Sequence, residues 1–138
     1  MKLKYFTAEN YNKNNILKFW ENNDITLSES DYNDIFREDY YNTDLFIIIE
    51  DKNGIASTCW GTYDGRRGYI IHLAVRKNLR GKGIGKLTLK HVEKKLKEVK
   101  CYKIHLFIEK SNSQVVNFYE KLNYEKRNDI ILMSKKLF

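Results

Sequence analysis

The segment Arg80-Gly81-Lys82-Gly83-Ile84-Gly85 places three glycines within five residues, next to two cationic side chains. Glycine adopts positive φ angles and lets a ligand approach the backbone closely. In such a loop, consecutive N–H groups point into one concavity, and at the start of a helix their partial positive charge attracts phosphate. The segment therefore predicts a site for a diphosphate-bearing ligand, flanked by Arg80 and Lys82. The alternative is a tight turn with solvated basic flanks.

The familiar phosphate-binding motifs do not fit this segment. In a P-loop, G-x-x-x-x-G-K-[ST], glycine would be required at Arg80 and serine or threonine at Leu87. In a dinucleotide fingerprint, G-x-G-x-x-G, the third glycine would fall on Lys86. Each mismatch removes a residue that the mechanism of the motif requires.

Predicted strands precede and follow the glycine-rich segment. Apolar and β-branched runs predict strands over 3–6, 45–50, 55–63, 69–75, 103–108, 124–128 and 130–136. The turn sequences DKNG (51–54) and DGRRG (64–68) connect the second, third and fourth of these strands.

Helical spacing of apolar residues predicts four helices. The first is predicted over about 9–22, the third over 84–99 and the fourth over 113–122. The second is predicted to begin after an N-cap at Ser28 or Ser30. The second helix has its apolar positions at Tyr32, Ile35, Phe36 and Tyr40. The third has an apolar stripe made of Ile84, Leu87, Val92, Leu96 and Val99. This order of elements predicts a mixed α/β fold of the α+β kind, with helices on the faces of a sheet.

Composition and length favour one globular domain over residues 1–138. The chain has 42% hydrophobic residues, too many for disorder, and no linker or low-complexity tract. No apolar run approaches the roughly 18 to 20 residues of a membrane span, so no membrane partner is expected. The N-terminal sequence MKLKYFTAEN lacks the apolar core of a secretory signal, so a cytoplasmic location is expected.

Charge and cysteine content narrow the partners further. Residues 1–64 carry 6 Lys/Arg and 12 Asp/Glu, whereas residues 65–138 carry 19 and 6. A basic half attracts polyanions, but its aromatic residues are not interleaved with the lysines as in proteins that stack on bases, so nucleic acid is not expected. Cys59 and Cys101 lack disulfide-scaffold and metal-site spacing, so reduced thiols and no metal are expected.

Two stretches resemble motifs of the GNAT N-acetyltransferase superfamily. YIIHLAVRKNLRGKGIGKLTLKHVEKKL, which begins at Tyr69, resembles its acetyl-CoA-binding motif. NSQVVNFYEKLNY (112–124) resembles its second motif, with Asn123 in place of the usual glycine. The resemblance covers about residues 45–126 and implies a single-domain fold, with a central mixed, mostly antiparallel sheet of six to seven strands flanked by four helices. Asparagine tolerates left-handed backbone angles, so the turn at Asn123 is expected to persist.

The resemblance implies acetyl-CoA as cosubstrate and assigns its binding residues. Backbone groups of Leu73, Ala74 and Val75 would hold the pantetheine arm like an added strand and aim an N–H at the thioester oxygen. Backbone N–H groups of residues 80–85 would bind the pyrophosphate. Asn112 would contact the pantetheine arm, or cap the helix that follows it.

The resemblance also implies that a primary amine attacks the thioester directly in a ternary complex, with no acyl-enzyme. Neither cysteine lies in a matched motif, which agrees with this. Tyr119 is the expected general acid, since a phenol with a pKa of about 10 is suited to protonate a thiolate whose conjugate acid titrates near 8.5. The alternative for Tyr119 is packing against Val115 and Leu122.

The general base stays open among Glu50, Asp64, Tyr69, His72, Glu109 and a chain of waters. A histidine on an apolar strand is more often a satisfied core residue than a base. Strand alternation also predicts that the His72 side chain faces away from those of its neighbours in the strand.

The acceptor is open as well. The acidic, aromatic segment 33–44, NDIFREDYYNTD, would guide a cationic amine through Glu38, Asp39, Tyr40 and Tyr41. Arg66 and Arg67 would instead favour an acceptor that bears a carboxylate or phosphate. A peptide N-terminus, a polyamine and an aminoglycoside all fit the residues, and the oligomeric state, including a homodimer, is undecided.

Two other functions compete with N-acetyl transfer. The first is a non-catalytic acyl-CoA-binding module that acts as a sensor, which would have no need of Tyr119. The second is a nucleic-acid binder, which the basic half suggests and the aromatic pattern disfavours.

Overall fold

The computed structural model describes residues 1–7, 10–34 and 43–138. The chain divides into two compact units, Met1–Leu106 and Phe107–Phe138. The first unit contains a five-stranded sheet whose strands follow one another in chain order: β1 (Lys2–Tyr5), β2 (Phe46–Asp51), β3 (Gly54–Tyr63), β4 (Gly68–Val75) and β5 (Ile104–His105). Neighbouring strands are antiparallel except β4 and β5, which are parallel. The predicted mixed, mostly antiparallel sheet is confirmed, with five strands rather than six to seven.

The described residues contain four α-helices, as predicted. The first unit holds α1 (Lys13–Asn22), α2 (Glu29–Asp34) and α3 (Ile84–Glu98), and the second holds α4 (Val116–Glu120). None of the helices in the described ranges is long and apolar enough to cross a membrane. Three predicted apolar positions of the second helix, Ile35, Phe36 and Tyr40, lie outside the described residues.

Helices cover both faces of the sheet, and this explains the unbroken apolar run of β2. On one face, the aromatic side chains of β2 and β3 pack against α1 in a cluster of buried residues: Phe6, Ile16, Leu17, Trp20, Phe46, Ile48, Trp60 and Ala74. On the other face α3 packs against β2, β3 and β4. The residues that α3 buries are Ile84, Thr88, Leu89, Val92 and Leu96.

The α3 stripe differs from the predicted one at two positions. Leu87 and Val99 are 45% and 40% exposed. The buried stripe of α3 follows residues four apart, from Ile84 through Val92 to Leu96. Because each residue of a helix is rotated by about 100° from the last, Leu87 lies to one side of this stripe.

The second unit begins with a 3-10 turn over Lys110–Val115 that leads into α4, so the predicted helix over 113–122 is shorter. Asn123 ends α4 in the left-handed conformation with φ 69°. Its N–H donates to the Glu120 carbonyl, and the Tyr124 N–H donates to the Tyr119 carbonyl. Asparagine therefore closes this helix in the way that glycine commonly does.

Three strand predictions near the C-terminus are corrected. The strand predicted over 103–108 extends only over Ile104–His105, and residues 124–128 and 130–136 form no strand. In the described chain, the side chains of Ile130, Ile131 and Leu132 are exposed. A segment of alternating apolar residues forms a strand only where a neighbouring strand supplies hydrogen bonds. The sequence of the segment itself does not show whether such a neighbour exists.

A substitution at Gly61 of β3 tests how closely the sheet packs against α3. A Cβ at this position would lie 2.5 Å from Val92 Cγ1 and 3.3 Å from the Leu45 carbonyl oxygen. We expect Gly61→Ala to lower the free energy of unfolding by about 1–3 kcal/mol through overpacking. In the Val92→Ala background the same change should cost less, which a double-mutant cycle by chemical denaturation would measure. Additive effects would contradict the close approach.

Candidate active site

A β-bulge interrupts β4 in the middle of the sheet. Thr58 of β3 pairs with Ala74, and Trp60 pairs with Ile71. One residue therefore separates the pairs on β3, whereas His72 and Leu73 separate them on β4, and His72 has φ 55°. A bulge of this kind leaves backbone groups outside the ladder and turns side chains away from regular alternation.

The bulge makes the prediction from strand alternation wrong for His72. The His72 ring contacts the edge of Trp20, with 4.7 Å between centroids. Ile71 packs against the same α1-side cluster to which Trp20 belongs. Ile71 and His72 therefore lie on the same face of the sheet. In a regular strand consecutive side chains lie on opposite faces, and the positive φ at His72 breaks this alternation.

Beyond its first two residues, β4 has an open edge. The ladder between β4 and β5 consists of Gly68 with Ile104 and Tyr69 with His105. From residue 70 to residue 75, β4 has no strand partner on that side within the described chain. The predicted pantetheine-binding residues Leu73, Ala74 and Val75 therefore lie on a free strand edge, directly after the bulge.

Glycines at positive φ shape the loop that joins β4 to α3. Gly81 and Gly83 have φ of 77° and 83°, and Gly83 is the N-cap of α3 with no capping side chain. The predicted row of N–H groups over residues 80–85 is corrected at Arg80, whose N–H donates to the Lys77 carbonyl at 3.4 Å. Among the described residues, no hydrogen-bond acceptor is found for the backbone N–H groups of residues 81–86. Six consecutive N–H donors at the start of a 15-residue helix are an arrangement that suits the binding of an anion.

The Arg80 side chain does not flank this site freely, in contrast to the prediction. Its Nε donates to the Val75 carbonyl at 3.1 Å, one Nη to Asp24 at 2.8 Å, and the other Nη to the Asn23 carbonyl at 3.0 Å. The guanidinium thus ties the loop to the end of α1. Lys82 has no ion-pair partner among the described residues and remains a candidate cationic flank.

A buried chain of hydroxyl groups positions α3 against β4. Ser57 Oγ lies 3.0 Å from the Ala74 carbonyl oxygen and 2.7 Å from Thr88 Oγ1, and Thr88 Oγ1 lies 2.7 Å from the Ile84 carbonyl oxygen. Because each hydroxyl has one hydrogen, two of these three contacts are hydrogen bonds at any moment. Ser57 and Thr88 are fully buried. The first turn of α3, which provides several of the free N–H groups, is thereby held at a fixed distance from β4.

Two of the candidate bases have structural partners. The Asp64 carboxylate accepts the N–H groups of Arg67 and Arg66 at 2.7 and 2.8 Å, and these bonds hold its pKa below the ordinary 3.8. Asp64 therefore closes the DGRRG turn and is a weak base. Glu50 accepts a hydrogen bond from Tyr11 and pairs with Lys4 at 3.4 Å.

Two further candidates are placed by backbone contacts within their own units. Tyr69 pairs with His105 in the β4–β5 ladder. Glu109 immediately precedes the 3-10 turn of the second unit, where its carbonyl accepts the Asn112 N–H at 2.8 Å.

His72 differs from the other candidates because a buried carboxylate contacts its ring. His72 Nε2 lies 2.6 Å from Asp31 Oδ1 of α2. Sequence reasoning did not identify Asp31. Its spacing from Ser28 is that of a capping box, which a helix-start search finds, but nothing in the spacing indicates a contact with β4.

The predicted residues of the second unit have local partners. The Asn112 Oδ1 accepts from Gln114 Nε2 at 2.5 Å, so the described side chain does not cap the turn. The Tyr119 ring lies edge-on to Phe118 and Tyr124, with centroid distances of 5.0 and 5.5 Å. The predicted acceptor residues Glu38, Asp39, Tyr40 and Tyr41 lie outside the described residues.

Both cysteines are free thiols. Cys59 is completely buried between the strands and α3, and burial raises the pKa of its thiol. No group of His, Cys, Asp or Glu with metal-site geometry occurs within the described ranges.

Comparison with known proteins identifies the family. The model of the acetyltransferase (GNAT) family matches residues 11–124. A protein named acetyltransferase from Pectobacterium atrosepticum is 34% identical over 138 residues, covering 99% of this chain and 96% of that protein. The chain therefore belongs to the GNAT acetyltransferase family.

Solved structures show the same fold. An acetyltransferase from Streptococcus agalactiae matches with a TM-score of 0.79 and 16% identity, over 99% of this chain and 90% of that one. The ribosomal-protein-S18-alanine N-acetyltransferase from Escherichia coli matches with a TM-score of 0.74 and 14% identity, over 92% and 79%.

The contribution of the contact between Arg80 and Asp24 to stability can be tested by measuring its dependence on pH. The hydrogen bond from Arg80 lowers the pKa of Asp24 below its ordinary 3.8, so the contact stabilises the fold above about pH 4 and is lost as the pH falls further. Asp24→Asn suits the position, where φ is 69°, and removes the charge. Its melting temperature should lie a few degrees below that of the unchanged protein at pH 7, with little difference at pH 3.

Lys82→Ala is the control for this test, because it removes a cation from the same loop with no partner among the described residues. Its melting temperature should change little at either pH. A deficit in Asp24→Asn of the same size at pH 3 and pH 7 would contradict the ion-pair role.

Proposed function

We propose that this chain transfers the acetyl group of acetyl-CoA to a primary amine, by direct attack of the amine within a ternary complex. The observation that carries the proposal is the row of free backbone N–H groups over residues 81–86, between two left-handed glycines and the start of α3. A pyrophosphate matches this row in charge and hydrogen-bonding capacity. Membership of the GNAT family supports acetyl-CoA as the ligand that brings the pyrophosphate.

The open edge of β4 supports binding of the pantetheine arm. An extended chain with amide groups adds to such an edge as a further strand would. The carbonyl groups of Ala74 and Val75 already accept side-chain hydrogen bonds from Ser57 and Arg80. Leu73 belongs to the bulge, where backbone groups leave the ladder, and its N–H is proposed to point at the thioester carbonyl oxygen. There it would stabilise the charge that develops on this oxygen during attack.

The chemistry requires a neutral amine and a proton for the departing thiolate. A cysteine acyl-enzyme is disfavoured because Cys59 is buried and Cys101 lies outside both motifs. Tyr119 is the proposed acid that protonates the thiolate, on the basis of its position in the second family motif and the acidity of a phenol. Asn112 is proposed to contact the pantetheine arm.

The proposed acceptor class is a small-molecule or peptide primary amine. The structural relative from Escherichia coli is named for the alanine of a ribosomal protein, which makes a peptide N-terminus one reasonable acceptor to test. The family model continues across the boundary between residues 106 and 107, which supports the prediction of one N-acetyltransferase domain over residues 1–138.

Gly83→Val tests the cofactor site. We expect it to abolish the acetyl-CoA-induced rise in melting temperature, because a branched side chain blocks approach of the pyrophosphate and the left-handed φ disfavours valine. The unchanged protein should gain several degrees at about 100 times the dissociation constant. Acetyl-CoA and coenzyme A should act alike, whereas ATP and a DNA oligomer should produce no comparable rise.

Gly65→Val is a matched control for Gly83→Val. Gly65 also has a positive φ, 94°, with nothing within 4 Å of an added Cβ, but it lies in the DGRRG turn. It should carry a similar strain and keep the response to acetyl-CoA. An unchanged response in Gly83→Val, or a response of the unchanged protein to DNA alone, would refute the cofactor site.

Tyr119→Phe tests the proposed acid. With an amine panel of spermidine, kanamycin and a peptide with an N-terminal alanine, the unchanged protein should release thiol from acetyl-CoA with at least one amine. The variant should lower that turnover about tenfold or more, with acetyl-CoA affinity kept. Tyr124→Phe removes a neighbouring phenol and should have little effect. Equal turnover in both variants and the unchanged protein would assign the proton to water.

A further inference from the structure

His72 lies between a carboxylate and an indole at the bulge of β4. Its Nε2 is 2.6 Å from Asp31 Oδ1, and its ring contacts the edge of Trp20 at 4.7 Å. The Asp31 and His72 side chains are 7% and 19% exposed. Trp20 is itself fixed, since its Nε1 donates to Thr58 Oγ1 at 2.9 Å. The imidazole is thus held on two sides while part of its surface stays accessible.

The start of α2 orients the Asp31 carboxylate. Asp31 Oδ2 accepts the Ser28 N–H at 2.8 Å and the Ser28 hydroxyl at 3.3 Å. Because these bonds occupy Oδ2, the other oxygen of the carboxylate, Oδ1, is directed at His72. The hydrogen bonds that cap α2 therefore also fix the contact between the Asp31 carboxylate and the His72 imidazole of β4.

This contact selects one tautomer of the imidazole. A carboxylate oxygen accepts, so Nε2 carries the hydrogen and Nδ1 carries the lone pair. Nδ1 has no hydrogen-bond partner among the described residues. A fixed ring with one free lone pair and a carboxylate behind it is the arrangement in which histidine serves as a general base.

The position of His72 relates it to the proposed reaction centre. It is the residue immediately before Leu73, whose N–H is proposed to receive the thioester oxygen. Of the described charged groups, Asp31 is the one in contact with the imidazole. Glu21, at the end of α1, is engaged by the Tyr32 hydroxyl at 3.0 Å.

We propose that His72 Nδ1 is the base that removes the proton from the acceptor amine, and that Asp31 is a positioning residue that fixes its tautomer and orientation. This inference rests on the proposed N-acetyl transfer. The amine arrives as an ammonium ion and gives one proton to Nδ1. Its nitrogen then forms the bond to the acetyl carbon as the carbon–sulfur bond breaks. The nitrogen loses its second proton to water, Tyr119 donates its phenol proton to the thiolate, and water returns a proton to the Tyr119 phenolate. His72 finally returns its proton to water.

The test measures kcat/KM against pH with the amine that the unchanged protein acetylates fastest from the panel of spermidine, kanamycin and an alanine peptide. With a side-chain base, kcat/KM should reach a plateau while the free amine is still mostly protonated, because the bound ammonium gives its proton to the base. His72→Asn keeps a residue that tolerates the left-handed φ but has no base. Its kcat/KM should be about 100-fold lower at pH 7 and should rise about tenfold per pH unit, because it now follows the fraction of neutral amine.

Further variants separate chemistry from structure. His72→Gly also suits the positive φ, and added imidazole should restore part of its turnover. Asp31→Asn should lose the pH plateau, because an amide can donate to Nε2 and move the hydrogen to Nδ1. Ser28→Ala weakens the same cap while leaving the Ser28 N–H and the contact between Asp31 and His72, so it should lower the melting temperature and keep the plateau. All variants should keep the acetyl-CoA-induced thermal shift.

The possible results are distinct. A plateau and rate retained in His72→Asn would overturn the inference while N-acetyl transfer stands. An equal loss at every pH without rescue by imidazole would also overturn it, since it would show a structural role. Absence of turnover by the unchanged protein with every amine, together with no thermal shift by acetyl-CoA, would overturn the proposed function and the inference with it.

Discussion

The bulge at His72 and Leu73 is the irregularity on which the proposed cosubstrate and proton-transfer sites depend. One extra residue on β4 removes regular pairing with β3 at this point, and the positive φ of His72 turns its side chain onto the α1 face. The same strand leaves its β5 partner after Tyr69. The backbone groups proposed to bind the cosubstrate and the side chain proposed to take the proton therefore belong to adjacent residues of one strand.

The surrounding structure keeps this irregular strand in place. A bulge and an open edge reduce the number of ladder hydrogen bonds, so other contacts must hold β4. Ser57 ties the Ala74 carbonyl to Thr88 of α3, and Arg80 ties the Val75 carbonyl to the end of α1. Both contacts reach the loop or the helix turn that carries the free N–H groups. They therefore connect the geometry of the proposed anion site to that of the bulge.

The side chains of Arg80, which was predicted to flank the ligand, and of Arg76 both make structural contacts. The Arg80 guanidinium donates to the Asp24 carboxylate, to the Asn23 carbonyl directly after α1, and to a carbonyl of β4. Arg76 makes a bidentate pair with Asp51 at 2.9 Å and bonds the Ile55 carbonyl at the β2–β3 hairpin. Because protein oxygens satisfy the donors of these two arginines, the proposed anion site depends on backbone N–H groups, whose positions vary less than those of long side chains.

The sequence by itself determined the fold class, the glycine loop at the start of α3 and the four helices, because apolar periodicity and glycine spacing are local properties. It did not determine the bulge, since a bulge depends on the register between β3 and β4, which no local pattern encodes. The partner of His72 was hidden for the same reason: Asp31 is 41 residues away and meets the ring only when α2 packs beside β4. The free N–H row and the engagement of Arg80 likewise follow from contacts between distant segments, which only the tertiary structure decides.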